Sequence, residues 1–299
     1  MSGISEKSAR LAGAVRGGEF VVAPGVYDMI SARLADRLGF QALYMTGYGT
    51  VASHLGLADA GLATYTDMVG RVRQIASGTA TPLIADADTG YGGLLNVAHT
   101  VRGYEEAGAS GIQIEDQVSP KKCGHTLGRD VIPVEEMVLK IQVALEARRS
   151  PDTLIVARTD ARTHLGLDEA IRRGGAYADA GADLIFVESP ESHDEIRKIA
   201  AALSKKTRLF MNVVQGGRTP EMPAPELEAL GFAVAIYPGA AHKVAAAAID
   251  SSYRHLKAHK SMIDNPTPIY ADMHGLMGFP EVWDFDKRWA RTKTDEAAE

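Results

Sequence analysis

The chain has 299 residues, 45% hydrophobic and 23% charged, with 32 basic against 38 acidic residues and a net charge of −6. This is an ordinary globular composition, long enough for one large domain or two, and its mild acidity without a Lys/Arg block argues against a nucleic-acid binder. No apolar run approaches the roughly 18 residues of a membrane span, the start MSGISEKSARLAGAVRGGEF lacks the apolar stretch of a secretory signal, and a single cysteine fits a reducing cytoplasm.

Taken in chain order, eight short apolar runs predict strands: FVVA (20–23), ALYMT (42–46), PLIADAD (82–88), GIQIED (111–116), LIVARTD (154–160), LIFVES (184–189), RLFMNV (208–213) and VAIYP (234–238). Most are separated by longer segments with helical spacing, such as VEEMVLKIQVALEARR and DEAIRRGGAYADA. Strand–helix alternation implies parallel strands joined by crossovers. Four segments read alike: LADRLGFQALYMT, YEEAGASGIQIED, YADAGADLIFVES and LEALGFAVAIYP. Each ends a helix, places a glycine (Gly39, Gly108, Gly181, Gly231) and starts a buried strand. Glycine takes the left-handed conformation that terminates a helix without a Cβ penalty. Eight such units predict an α/β fold, a closed (β/α)8 TIM barrel. An open doubly wound sheet is the competing architecture, but no G-x-G-x-x-G opens a helix after the first strand.

Strands buried under helices should read as apolar runs. Here they turn polar at their C-terminal ends: Thr46, Asp86 and Asp88, Glu115 and Asp116, Arg158 and Asp160, Glu188, and Asn212. In a barrel these ends converge on one mouth, where the active site forms. For Asp160 and Ser189, a solvated loop residue or helix N-cap is at least as good a reading as a functional one. Asp86, Asp88 and Glu115 would raise one another's pKa unless a cation offsets them. Oxygen-only ligands suit a hard ion, and a few carboxylates plus water suit Mg²⁺. The alternative is a hydrogen-bonded cluster facing Arg158 and the lysines.

The only cysteine, Cys123, lies in SPKKCGHTLG (119–128). Segment 117–133 has no clear period and contains Gly124, Gly128 and Pro133, so after the Glu115 strand it can lie over the mouth as a movable flap. Lys121, Lys122 and His125 would lower the pKa of the thiol and make it a nucleophile or proton donor. A solitary cysteine is otherwise more often an inert buried residue.

KKCGH resembles the signature of the isocitrate lyase and phosphoenolpyruvate mutase superfamily. DADTGYGG (86–93), IEDQ (114–117), APGVYDMISARLADRLGFQALYMTG (23–47) and VARTDA (156–161) match in the same order, and the resemblance covers about residues 10 to 258. It points to the short-chain lyase branch, which includes methylisocitrate lyase, dimethylmalate lyase and oxaloacetate hydrolase. It implies a (β/α)8 barrel over 1–258 and a helical extension over 259–299 swapped onto a neighbouring subunit. The assembly implied is a cytoplasmic homotetramer, a dimer of dimers, in which a partner buries Trp283 and Trp289; packing of the tail on its own barrel is the alternative.

Residue by residue, the resemblance implies Mg²⁺, or Mn²⁺, at Asp86 and Asp88, with Glu115 and Asp59 in the water-bridged shell. Thr46, Gly47 and Tyr48 would hold a substrate carboxylate, with Tyr44, Gly124 and Asn212 also lining the substrate. Arg158 would grip a carboxylate and the reacting oxygen, and Glu188 is a catalytic lining residue. Cys123, paired with His125, would protonate the leaving carbanion. The implied substrate is a 2-hydroxy di- or tricarboxylate, cleaved to an α-keto acid and a carboxylate. Tyr48 replaces a small glycine of methylisocitrate lyases and Gln215 replaces a common glutamate. Both favour a smaller, 2-alkylmalate substrate; an oxaloacetate hydrolase or decarboxylase is the alternative activity, and a non-catalytic metabolite-binding barrel the third class.

Overall fold

The computed structural model describes residues 2–290, apart from His125 and Leu127. Eight strands form in the eight predicted places: β1 Val21–Val26, β2 Leu43–Met45, β3 Leu83–Asp86, β4 Gly111–Glu115, β5 Leu154–Thr159, β6 Leu184–Val187, β7 Arg208–Asn212 and β8 Phe232–Tyr237. Every neighbouring pair is parallel, and β8 returns to pair with β1, with Val21 opposite Val234. The barrel is therefore closed, and the open sheet is excluded.

Thirteen helices occur among the described residues. They are α1 Ser2–Gly17, α2 Met29–Arg37, α3 Gly47–Leu55, α4 Tyr65–Gly78, α5 Leu94–Ala107, α6 Val134–Ala147, α7 Arg162–Leu165, α8 Leu167–Asp179, α9 His193–Leu203, α10 Ala224–Ala229, α11 His242–His259, α12 Met273–Met277 and α13 Phe279–Trp289. The four helix-ending glycines all adopt positive φ: 73° at Gly39, 104° at Gly108, 99° at Gly181 and 90° at Gly231. Among the described residues no helix is long and apolar enough to cross a membrane.

Strand periodicity sorts the apolar residues into two clusters. Leu43, Met45, Leu83, Ala85, Ile112, Ile114, Ile155, Ala157, Ile185 and Met211 face outward and pack with the helices. Tyr44, Ile84, Leu154, Val156, Leu184, Phe186 and Phe210 face the axis, and Leu11 and Val15 of α1 join the same cluster. Phe186 and Phe210 fill the axis with ring centroids 5.4 Å apart. A fully buried phenylalanine of this kind contributes about 1.5–3 kcal/mol.

The chain divides into two compact units, the first ending at Ala245 and the second beginning at Ala246. Within the second, Asp272 caps α12 by accepting from the amide of Gly275 at 3.0 Å. Gly278, with φ 84°, ends α12 and starts α13. Along α13, Phe279 pairs with Trp283 and Phe285 with Trp289, at 5.9 and 6.2 Å between ring centroids. All four rings are exposed.

Candidate active site

In β2 to β7 the inward phase runs on into a polar residue at the C-terminal end of the strand. Tyr44 is followed two positions on by Thr46, Ile84 by Asp86, Val156 by Arg158, Phe186 by Glu188 and Phe210 by Asn212; each first member lies in the axial cluster. Gln113 precedes Glu115 in the same way, between the outward-facing Ile112 and Ile114. A period of two thus delivers six polar side chains from six strands to one mouth. All six are buried.

Thr46 is the N-cap of α3, its Oγ1 accepting from the amide of Gly49 at 3.4 Å. The helix start lies against the Asp86 carboxylate: a Cβ on Gly47 would sit 2.5 Å from Oδ2 of Asp86. Any side chain there would push the backbone off the carboxylate. Oδ1 of Asp86 accepts from the amide of Asp88 at 3.0 Å and from Nε2 of Gln113 at 3.3 Å. Tyr44 in turn donates its hydroxyl to Oε1 of Gln113 at 2.9 Å. Tyr44 therefore acts from the barrel interior, through Gln113.

Asp88 has φ 48°, a left-handed backbone uncommon outside glycine. Lys121 reaches in from segment 117–133 and places its ammonium 2.6 Å from Oδ1 of Asp88 and 2.5 Å from Oδ1 of Asp59. Burial, only partly opposed by Lys121, raises the Asp88 carboxyl to about 7, and burial likewise raises Asp86 and, further, Glu115. Lys121 itself is held well above its ordinary value: burial opposes this, but Asp88, Glu115, Asp86 and Asp59 together outweigh it. The ammonium gains from four acids, whereas burial dominates at the carboxyls, where Arg158 as well as Lys121 opposes it at Asp86 and Glu115. Beside Asp88 and Lys121 opens a cavity of about 430 Å³ whose wall includes Tyr65, Tyr91 and His99.

Arg158 grips Asp160 with Nε and Nη2 at 2.9 and 2.8 Å and stands 3.4 Å from Glu115 and 3.7 Å from Glu188. Its guanidinium lies 5.1 Å from the centre of the Phe186 ring. Glu188 accepts from Nδ2 of Asn212 at 3.2 Å and from the hydroxyl of Ser189 at 3.0 Å. Asp160 is neither solvated nor an N-cap, since it is fully buried and Ala161 precedes α7. Tyr48 is half exposed and stacks on His242 at 5.4 Å.

Segment 117–133 is pinned over this mouth. Gln117 bridges Val131, donates from Nε2 to Glu115 and to the Lys122 carbonyl (both 2.9 Å), and accepts from the Lys122 amide at 2.9 Å. The Cys123 amide donates to the Asp59 carbonyl at 3.0 Å, and the thiol residue is half buried. Ser189 donates to the Gly124 carbonyl at 2.8 Å. His125 lies outside the described residues. The lysines flanking the thiol have other partners: Lys121 the acids, and Lys122 the Gly128 carbonyl at 2.9 Å. Sequence reasoning assigned no role to Gln113, Gln117 or Arg129 and gave Lys121 a different one. The signal for Gln113 was its inward phase in GIQIED, and that for Lys121 was its place in KKCGH.

The donor set fits a hard divalent cation. The buried acids are costly to ionise without a neighbouring cation and offer only oxygen. Among the described residues no three His, Cys, Asp or Glu groups converge as a complete metal cage. One or two direct carboxylates with water filling the remaining positions is the arrangement Mg²⁺ prefers. Asp86 and Asp88 are the acids that could hold it.

The family model described as phosphoenolpyruvate phosphomutase matches residues 14–257. The 2,3-dimethylmalate lyase of Eubacterium barkeri is 47% identical over 274 residues, covering 91% of this chain and 94% of its own. Among solved structures, oxaloacetate acetylhydrolase in complex with the inhibitor 3,3-difluorooxalacetate matches with a TM-score of 0.90 at 36% identity, covering 97% of this chain and 99% of that one. Phosphonopyruvate hydrolase in complex with oxalate and Mg²⁺ matches with a TM-score of 0.85 at 29% identity, covering 95% and 99%. The chain therefore belongs to the phosphoenolpyruvate mutase/isocitrate lyase superfamily, within which it is a carbon–carbon lyase.

Proposed function

We propose that this lyase requires Mg²⁺ and cleaves a 2-alkylmalate of the 2,3-dimethylmalate type. The observation that carries the reading is the joining of buried acids, Arg158 and the Cys123 segment at one barrel mouth. The dimethylmalate lyase relative supports the substrate class, and the Mg²⁺-containing neighbour supports the metal.

Mg²⁺ held by Asp86 and Asp88 would polarise the substrate's hydroxyl and carboxylate oxygens. Arg158 binds a substrate carboxylate and supplies fixed positive charge where negative charge grows. The start of α3 at Gly47 presents backbone amides to a carboxylate. The hydroxyl proton is lost to a base in the site and the C2–C3 bond breaks. The electron pair goes to C3, whose carboxylate spreads it as an enolate. Cys123 delivers a proton to C3, so that 2,3-dimethylmalate gives pyruvate and propionate. Glu188 and Asn212 hold each other and line the pocket, and segment 117–133 excludes water.

A second reading is hydrolysis of oxaloacetate on the same scaffold, supported by the likeness to oxaloacetate acetylhydrolase. Tyr48 narrows the mouth and disfavours a tricarboxylate. The assembly proposed is a homotetramer in which the exposed Phe279, Trp283, Phe285 and Trp289 of α13 dock on a neighbouring subunit. The deciding experiment is a panel of 2,3-dimethylmalate, methylisocitrate, oxaloacetate and phosphonopyruvate with Mg²⁺, assayed for keto acid, oxalate and CO₂. Pyruvate and propionate from dimethylmalate, lost on EDTA treatment and restored by Mg²⁺, is the expected result. Preferential turnover of oxaloacetate to oxalate would move the assignment to the hydrolase.

A further inference from the structure

Arg158 faces three carboxyl groups at the mouth: Asp160 at 2.8 Å, Glu115 at 3.4 Å and Glu188 at 3.7 Å. Asp160 is gripped through two nitrogens, and its charge most directly offsets that of the guanidinium and so opposes the binding of a substrate carboxylate. A second cation approaches from segment 117–133. Arg129 contacts Oδ1 of Asp160 through Nη1 and the hydroxyl of Thr163 through Nη2, and its side chain is fully buried. Its Nε finds no hydrogen-bond partner among the described residues. Of its two contacts, the one a neutral donor could not replace is the buried ion pair with Asp160.

Asp160 is not free to turn away from this arrangement. Its amide donates to Oδ1 of Asp116 at 2.9 Å, and Asp116 also accepts from Thr159, Tyr177 and Arg173. Burial alone would raise the Asp160 carboxyl, but Arg158 and Arg129 hold it below its ordinary value. The carboxylate is thus a fixed anion shared by two guanidinium groups, one at the mouth and one behind it.

We propose that Arg129 is a positioning residue that neutralises Asp160, so that the charge of Arg158 remains available to a substrate carboxylate. The inference rests on the reading of Arg158 as the group that binds that carboxylate. Without Arg129, Asp160 would belong wholly to Arg158 and cancel its field. Arg129 lies on the same segment as Cys123, so the segment that brings the acid also completes the charge balance for binding.

The test is calorimetric binding of oxalate to the Mg²⁺-loaded protein, which does not depend on turnover. Arg129→Met is expected to weaken oxalate roughly tenfold or more, since close buried charges couple strongly. Adding Asp160→Asn removes the anion that Arg129 balances and should restore binding to within about threefold of wild type. Arg129→Lys keeps the charge on a similar stem and should bind within about threefold of wild type, which also covers the case in which the methionine variant does not fold. Unchanged affinity in Arg129→Met, failure of Asp160→Asn to restore it, or a loss in Arg129→Lys as large as that in the methionine variant would each overturn the inference. Arg158→Met separates the two levels. If it leaves oxalate binding intact, the reading of Arg158 itself is wrong; if it abolishes binding while Arg129→Met does not, only the role of Arg129 fails.

Discussion

Gly124 lies so close to Arg158 that a Cβ on it would sit 2.3 Å from Nη2, and 2.9 Å from Cδ of Glu188. Bare backbone therefore covers the guanidinium, and the segment carrying Cys123 seats only because residue 124 has no side chain. Gly124→Ala is expected to lift the segment from the mouth while sparing the barrel. We expect kcat/KM to fall by about 10²-fold, as for displacement of a positioned acid, with little change in melting temperature. Near-normal kcat/KM would show that the segment need not seat this closely.

Cys123→Ser exchanges a readily transferred proton for a poor one at almost constant volume. The loss is expected mainly in kcat, about 10²-fold or more, with KM little changed. Steady-state kinetics on the substrate identified by the panel measure it. Retention of kcat, or a covalent adduct at Cys123 trapped by mass spectrometry during turnover, would remove the thiol from its assigned role.

The strands were legible because each is a short apolar run, and the barrel because the runs alternate with helices eight times. Asp86, Glu115, Arg158, Glu188 and Asn212 were legible because each breaks such a run at its end, in phase with the inward face. Gln113 breaks its run in the middle, where one amide reads as a tolerated polar residue, and its partners Tyr44 and Asp86 are 69 and 27 residues away in the chain. The Arg129–Asp160 pair spans 31 residues and joins a segment without periodicity to a strand end. No local pattern announces such a contact. Lys121 was visible, but its direction was not: the ammonium turns inward to Asp59 and Asp88, where unpaired acids would be most costly.

The raised carboxyl of Asp88 sets a pH dependence in the metal-free protein. Its folded value is about 7, against an ordinary 3.8. Between these values the folded state holds more protons than the unfolded state, so this group's contribution to stability falls as pH rises through the window. Asp88→Asn removes the contribution. The melting temperature of the variant minus that of the wild type, both in EDTA, is expected to grow from pH 5 to pH 8 and level off above it. A difference that shrinks over that range contradicts the assigned direction.

Tyr48 stands half exposed and stacked on His242, and on the proposed reading it fills room that a longer substrate would need. Tyr48→Gly is expected to raise kcat/KM for methylisocitrate relative to dimethylmalate by roughly tenfold or more, a range typical of opening space in a pocket. An unchanged ratio would mean that discrimination lies elsewhere, with Gln215 the next residue to exchange.

Glu115 and Asp116 are adjacent, yet they serve opposite sides of one strand. Glu115 faces Arg158 at the mouth, whereas Asp116 binds Thr159 of β5 and Arg173 and Tyr177 of α8. The alternation of a strand thus keeps the reacting surface and the fastening of the barrel on separate residues. Exchanges at Tyr48, Gln215 or the pocket lining can accumulate without loosening the Asp116 fastening, which also holds the backbone of Asp160 behind Arg158. The architecture lets selection try new substrates one residue at a time, each trial starting from a barrel that still closes.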